Sequence, residues 1–117
     1  MSGKPKRVSI FSSMAAKPAR EITWQPATDV YRTPDGWLLK LELAGVKLEE
    51  VRISAAGSAI TVSGVRRDQV TERSCCHYSM EISYSRFERT IHLPCDVTSA
   101  ALEPRYENGI LLVRVTL

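Results

Sequence analysis

No stretch of this 117-residue chain reads as an amphipathic helix of useful length, so helix is not its main building material. Cysteine is scarce: there are three, an odd number with two adjacent, which is no disulfide framework and fits the reducing cytoplasm. No apolar run approaches the length of a membrane span, and the first residues lack the apolar centre of a signal peptide. Excess charge of one sign is also missing. Lys and Arg outnumber Asp and Glu 16 to 13, and a net +3 is too mild to argue for nucleic acid. A phosphate-cradling glycine loop, His-Glu-x-x-His and Gly-x-Ser-x-Gly are all absent, so the chain is expected to be no enzyme and to need no cofactor. What is present is ordinary globular composition, 44% hydrophobic and 25% charged. One domain of this size buries roughly two-thirds of its unfolded surface.

The remaining pattern is strand. Asn108-Gly109 is a hairpin signal, because both residues tolerate the positive φ of a type I′ turn. After it, Leu111, Val113, Val115 and Leu117 alternate onto one core face, while Ile110 and Leu112 stand on the other, which is expected to be covered too. Asp29–Arg32 is a short strand closed by the turn Thr33-Pro34-Asp35-Gly36. Trp37, Leu39, Leu41 and Leu43 alternate along a second strand. Residues 44–50 read as a loop with at most one helical turn. Val51–Ala55 and Ala59–Ser63 flank Gly57, Met80–Tyr84 and Phe87–Leu93 follow, and Ala101–Tyr106 carries Pro104, which suits an edge. Many short strands with no long helix predict an all-β, antiparallel sandwich.

Residues 1–23 differ. Lys4, Lys6, Arg7, Lys17 and Arg20 precede the first acidic residue, Glu21, and Ser, Ala and Pro fill much of the rest. This is a flexible basic arm ahead of a domain spanning 24–117, either a solubilising tail or a segment whose patch Val8-Ser9-Ile10-Phe11 docks on an apolar surface.

Two residue sets call for a chemical reading. Cys75-Cys76-His77 and His92-x-x-Cys95 offer five soft ligands, but neighbouring strand residues point to opposite faces and Pro94 restricts the second pair. No metal site is expected; small cysteines in a loop and at a strand end, or a redox-sensitive Cys75 or Cys76 at a subunit boundary, are the other readings. Arg89 shares parity with Phe87, Ile91 and Leu93, an apolar face where an unpaired guanidinium is costly. It must reach a carboxylate, backbone carbonyls or a subunit interface, unless a bulge near Ser85 resets the parity.

The succession Trp24-x-Pro26, Asp29-Val30-Tyr31, Leu41-Glu42-Leu43-x-Gly45-Val46, Val62-Ser63-Gly64-x-Arg66, Phe87-Glu88-Arg89-x-Ile91-x-Leu93-Pro94 and Tyr106-Glu107-Asn108-Gly109-Ile110-Leu111 resembles the α-crystallin domain of small heat-shock proteins, in its bacterial and plant branch. Ala44, Ser85 and Pro104 stand where that family usually has Pro, Gly and Ala. The resemblance implies an immunoglobulin-like sandwich with a protruding strand-exchange loop and an ATP-independent holdase whose partners are partly unfolded client proteins. It also implies a homodimer in which a strand within Val70–His77, including Val70, Glu72, Cys75 and Cys76, pairs with a neighbour's Asp29, Val30, Tyr31 and Arg32; larger homo-oligomers are the further step. The alternative is a solvated loop folded on its own domain. A structural arginine near the dimer contact is implied at Arg89. An apolar edge cleft is implied too, with Val51 and Ile53 on one wall and Leu102 and Pro104 on the other. Such clefts take an Ile/Val-x-Ile/Val segment from a C-terminal extension. No such segment follows Leu117 in this sequence, so either it has been removed or the protein assembles differently, in which case Val8 and Ile10 of the arm are expected to serve. A co-chaperone or adaptor on the same fold, and a Cys/His metal or redox protein, are the competing functions.

Overall fold

The computed structural model describes residues 23–69 and 72–117. Seven strands follow one another: β1 Thr28–Thr33, β2 Gly36–Glu42, β3 Arg52–Ala56, β4 Ala59–Val65, β5 Arg86–His92, β6 Ala101–Glu107 and β7 Ile110–Thr116. A single 3-10 turn, Leu48–Glu50, lies in the β2–β3 connection. The strands form two antiparallel sheets, one ordered β1-β2-β7-β6 and one β3-β4-β5.

Period-two alternation builds the core between them. Leu39, Leu41 and Leu43 from the second strand and its continuation, with Leu111, Val113 and Val115 of β7, face inward from the larger sheet and are fully buried. Ile60, Val62, Phe87, Ile91 and Leu93 meet them from the smaller sheet, and Val46 and Val97 close the ends. Leu39 pairs with Val113 and Leu41 with Leu111, so the two inner strands present one apolar face in register. On the outer face Leu112 lies between Lys40 and Arg105 in register, and Ile110 and Leu112 are half-buried there. Leu117 keeps the parity of Val115 but lies past the end of β7 and is exposed.

The Asn108-Gly109 turn takes φ of 52° and 79°, the positive pair that the β6–β7 hairpin requires. It is anchored to the end of the second strand. Leu43 N–H donates to the Gly109 carbonyl at 2.8 Å, and the Tyr106 hydroxyl donates to the Leu43 carbonyl at 2.6 Å. Pro104 sits in β6, an edge of the larger sheet, where its missing N–H costs no ladder bond on the open side.

Gly64 has a steric reason. A Cβ there would stand 2.7 Å from Phe87 Cζ and 2.9 Å from the Glu50 carbonyl oxygen, so the Phe87 ring occupies the space a side chain would need. Residues 80–84, expected as a strand, form none: strand pairing resumes at Arg86. Extended backbone needs a neighbouring strand to satisfy its N–H and C=O groups in a ladder, and among the described residues no strand pairs with that stretch.

Candidate functional site: open sheet edges and an exposed loop

Three surfaces of the sandwich are left open by its own topology. The first is β1, which ends the larger sheet, so one side of its backbone faces no strand among the described residues. Asp29, Val30, Tyr31 and Arg32 are all exposed, Val30 and Tyr31 by 44% and 43%. Lys40 Nζ lies 5.4 Å from the Tyr31 ring and the Arg32 guanidinium 5.1 Å from that of Trp37, which keeps the sheet face beside this edge charged and amphipathic.

The second is the long connection between β4 and β5. Glu72, Cys75, Cys76 and every other described residue from Glu72 to Tyr84 are exposed, whereas Val70 lies outside the described residues. Tyr78, Met80, Ile82 and Tyr84 alternate along it, and the first three are exposed by 101%, 49% and 60%. They recur at every second position, so the sequence carries an apolar stripe with the period of a strand, although the backbone bends at Tyr78 and Ile82 and pairs with no strand among the described residues. Residues Cys75 to Ile82 with Tyr84 and Asp68 surround a shallow concavity of about 540 Å³. The sequence reading centred on the stretch just before this stripe; the alternation of Tyr78, Met80, Ile82 and Tyr84 was the signal that marks the apolar part.

The third comprises β3 and β6, an outer strand of each sheet. Val51 and Ile53, and on β6 Leu102, are half-buried and packed against the core, while Pro104 is exposed. Val8 and Ile10, expected to dock there, lie outside the described residues.

Arg89 falls where its parity put it. The β4–β5 register runs unbroken through Gly64↔Phe87, Val62↔Arg89 and Ile60↔Ile91, with no bulge. The side chain is half-buried on the face of Phe87 and Ile91, and its Nη1 donates to the Pro26 carbonyl at 3.3 Å. Of the three partners that the buried charge required, a backbone carbonyl is the one supplied within the chain.

The soft ligands separate. Cys75 and Cys76 are exposed in the loop, with Cys75 Sγ 3.4 Å from the Glu72 carbonyl. Cys95 is half-buried and lines another hollow with Arg32, Trp37 and Pro94. His77 and His92 are exposed. Among the described residues no three His, Cys, Asp or Glu side chains stand together to hold an ion.

One carboxylate is tuned. Asp96 accepts from the Thr98 amide at 2.9 Å and the Thr98 hydroxyl at 2.7 Å, and the Thr98 hydroxyl oxygen accepts from the Gly57 amide at 2.9 Å. The amide first, and then the hydroxyl, hold its pKa below the ordinary 3.8. A depressed folded-state pKa contributes stability above the unfolded value and loses it as pH falls through the folded one. The stability difference between the native chain and Asp96→Asn is therefore expected to shrink as pH drops from about 5 to about 3, read by denaturant unfolding at each pH. A constant difference would refute the assignment.

The sequence pattern of the Hsp20/alpha crystallin family matches residues 29–117. Small heat shock protein C2 of Rickettsia felis is 30% identical over 90 residues, 77% of this chain and 58% of that protein. Among solved structures, heat shock protein 16.0 from Schizosaccharomyces pombe aligns with a TM-score of 0.69 at 28% identity, covering 80% of this chain and 67% of that one. HSP18.5 from E. histolytica aligns with a TM-score of 0.68 at 26% identity, covering 80% and 88%. The chain spans about half the length of the curated relatives it matches.

Proposed function

This chain belongs to the Hsp20/alpha crystallin family, and from that premise we propose that it is an ATP-independent holdase. It covers exposed apolar segments of partly unfolded proteins and catalyses no bond chemistry. The observation that supports this most is the stripe Tyr78, Met80, Ile82 and Tyr84, four large side chains held out of the core of a domain whose other apolar residues are mostly buried, and so left for another chain, a second copy or a client, to cover. Two of the relatives, both from Rickettsia felis, are named small heat shock proteins, which agrees with the reading. No helix among the described residues is long and apolar enough to cross a membrane, and we assign the protein to the cytoplasm.

Energetics favour weak, multivalent holding. Covering some 400 Å² of client apolar surface at about 25 cal/mol/Å² gives roughly 10 kcal/mol gross. Association and ordering cost about 4–15 kcal/mol, so a single contact retains little. Several contacts on one client restore useful affinity, and assembly of this chain supplies them. The strand-exchanged homodimer is the first such assembly: the exposed loop of one copy adds to the open edge at Asp29–Arg32 of another, satisfying backbone groups on both. Larger homo-oligomers form as the β3–β6 cleft, at Val51, Ile53, Leu102 and Pro104, takes Val8 and Ile10 of an arm.

Suppression of light scattering from a heated, aggregation-prone enzyme, with no nucleotide present, tests the holdase. Undiminished scattering at a molar excess of this chain would end it. Arg89→Gly removes a charge-assisted hydrogen bond worth about 1.5–3 kcal/mol and leaves a gap beside Pro26. It is expected to lower both the melting temperature and the dimer fraction measured by light scattering on a sizing column. Unchanged values for both would remove Arg89 from the interface.

A further inference from the structure

The loop and the segment entering β1 meet at one side chain. Arg66 is the first residue after β4, half-buried, and its guanidinium makes three contacts in three directions. Nε donates to the Ser83 carbonyl at 2.9 Å and Nη1 to the Ala44 carbonyl at 3.0 Å, while Cζ lies over the Trp24 ring, 4.3 Å from its centre. Its backbone amide donates to the Ser85 carbonyl at 3.1 Å. The outgoing and returning limbs of the loop are thus joined to each other and to the β2–β3 connection.

Trp24 is held by the same group of atoms. Its indole N–H donates to the Ser85 carbonyl at 3.2 Å, and its ring stands 5.5 Å from that of Phe87 at 55°. Its backbone adds a single parallel bridge to β5, with Trp24 N–H on the Arg86 carbonyl and Glu88 N–H on the Trp24 carbonyl, each at 3.1 Å. One bridged residue is a slight backbone attachment. The indole, its hydrogen bond and the overlying guanidinium hold the Trp24 end of this segment, while the buried Pro26, the Arg89 bond to its carbonyl and the Glu42 amide on the Ala27 carbonyl at 3.0 Å hold the end nearer β1.

We propose that Arg66 is a positioning residue that latches the segment entering β1 to the root of the exposed loop, so that the two come free together. With Trp24 seated, the guanidinium is fixed by stacking and aims its two donors at Ser83 and Ala44. When Trp24 leaves, Arg66 loses its platform and the Ser85 carbonyl loses one of its two donors. Binding events on either segment are then felt by the other, and equally in both directions. Lysine cannot substitute, because a single ammonium cannot lie over the indole and at the same time present separate donors to two carbonyls in different connections. The effect on dimerisation rests on the strand-exchange reading; the latch does not.

Hydrogen exchange by NMR on the full chain tests it, comparing Arg66→Lys, Trp24→Ala and the double variant. Arg66→Lys is expected to speed exchange of the Trp24 indole N–H and the Glu88 amide about tenfold or more, although the charge is retained. Trp24→Ala is expected to speed the Arg66 amide by a similar factor, and the double variant to add nothing at that amide. Amides of Leu41 and Val113 should keep their native rates. An unchanged indole rate in Arg66→Lys, multiplying effects in the double variant, or equal acceleration of the core amides would each overturn the latch. Light scattering on the same samples reads the dimer separately. A monomeric native chain with the coupled exchange intact would sink strand exchange and leave the latch standing.

Discussion

Phe87→Ala is expected to destabilise the sandwich by about 3–5 kcal/mol, a large share of the 5–15 kcal/mol that holds a domain together. The reason is position more than size. Phe87 is the largest fully buried side chain among the described residues. Its ring packs against Trp24 and occupies the space above Gly64, the residue opposite it in the β4–β5 register. Alanine leaves a cavity that neither sheet can collapse into, because the backbone on both sides is tied into ladders. The melting temperature should fall by well over about 10 °C. A smaller companion effect gives the argument its sign. Gly64→Ala in the native chain forces a Cβ to within 2.7 Å of the ring and is expected to cost about 1–3 kcal/mol. In the Phe87→Ala background the ring clash is gone and only the approach to the Glu50 carbonyl remains, so the same change should cost less. Equal costs in both backgrounds would show that the ring does not set the glycine.

How much of this was legible in the residues depends on whether a feature is local. Parity is local, so Leu39, Leu41, Leu43, Leu111, Val113 and Val115 went to the core as their alternation demands. Arg89 obeyed the same rule, and with no bulge to reset it the guanidinium landed on the apolar face. Its partner was not legible: the Pro26 carbonyl is 63 residues away in an irregular segment, and only the folded chain brings it within 3.3 Å. Leu117 shows the limit of parity. It has the right phase but lies beyond the last strand, and phase without a facing sheet buries nothing. Arg66 was visible only as part of a motif, because its three contacts join residues 24, 44 and 83, which no periodicity connects.

Residues 80–84 carry the second large effect. Their alternation is that of a strand, yet among the described residues no strand pairs with them and the side chains stand in solvent. Replacing Tyr78, Met80 and Ile82 together with serine is expected to leave the melting of the isolated domain unchanged. At exposures of 101%, 49% and 60% these side chains contribute little to a single copy. The dimer should respond very differently. Fully burying such a side chain is worth about 1.5–3 kcal/mol, and partial cover at a sheet edge gives about half of that. Three of them then supply roughly 2–4.5 kcal/mol, about fortyfold to two-thousandfold in the dissociation constant. Backbone pairing with Asp29–Arg32 would persist and hold a residual, weaker association, so the dimer should reappear at high concentration. Sedimentation velocity across a dilution series reads both outcomes. A native dissociation constant in the triple variant would mean that the stripe faces clients or solvent, and that copies of this chain meet elsewhere.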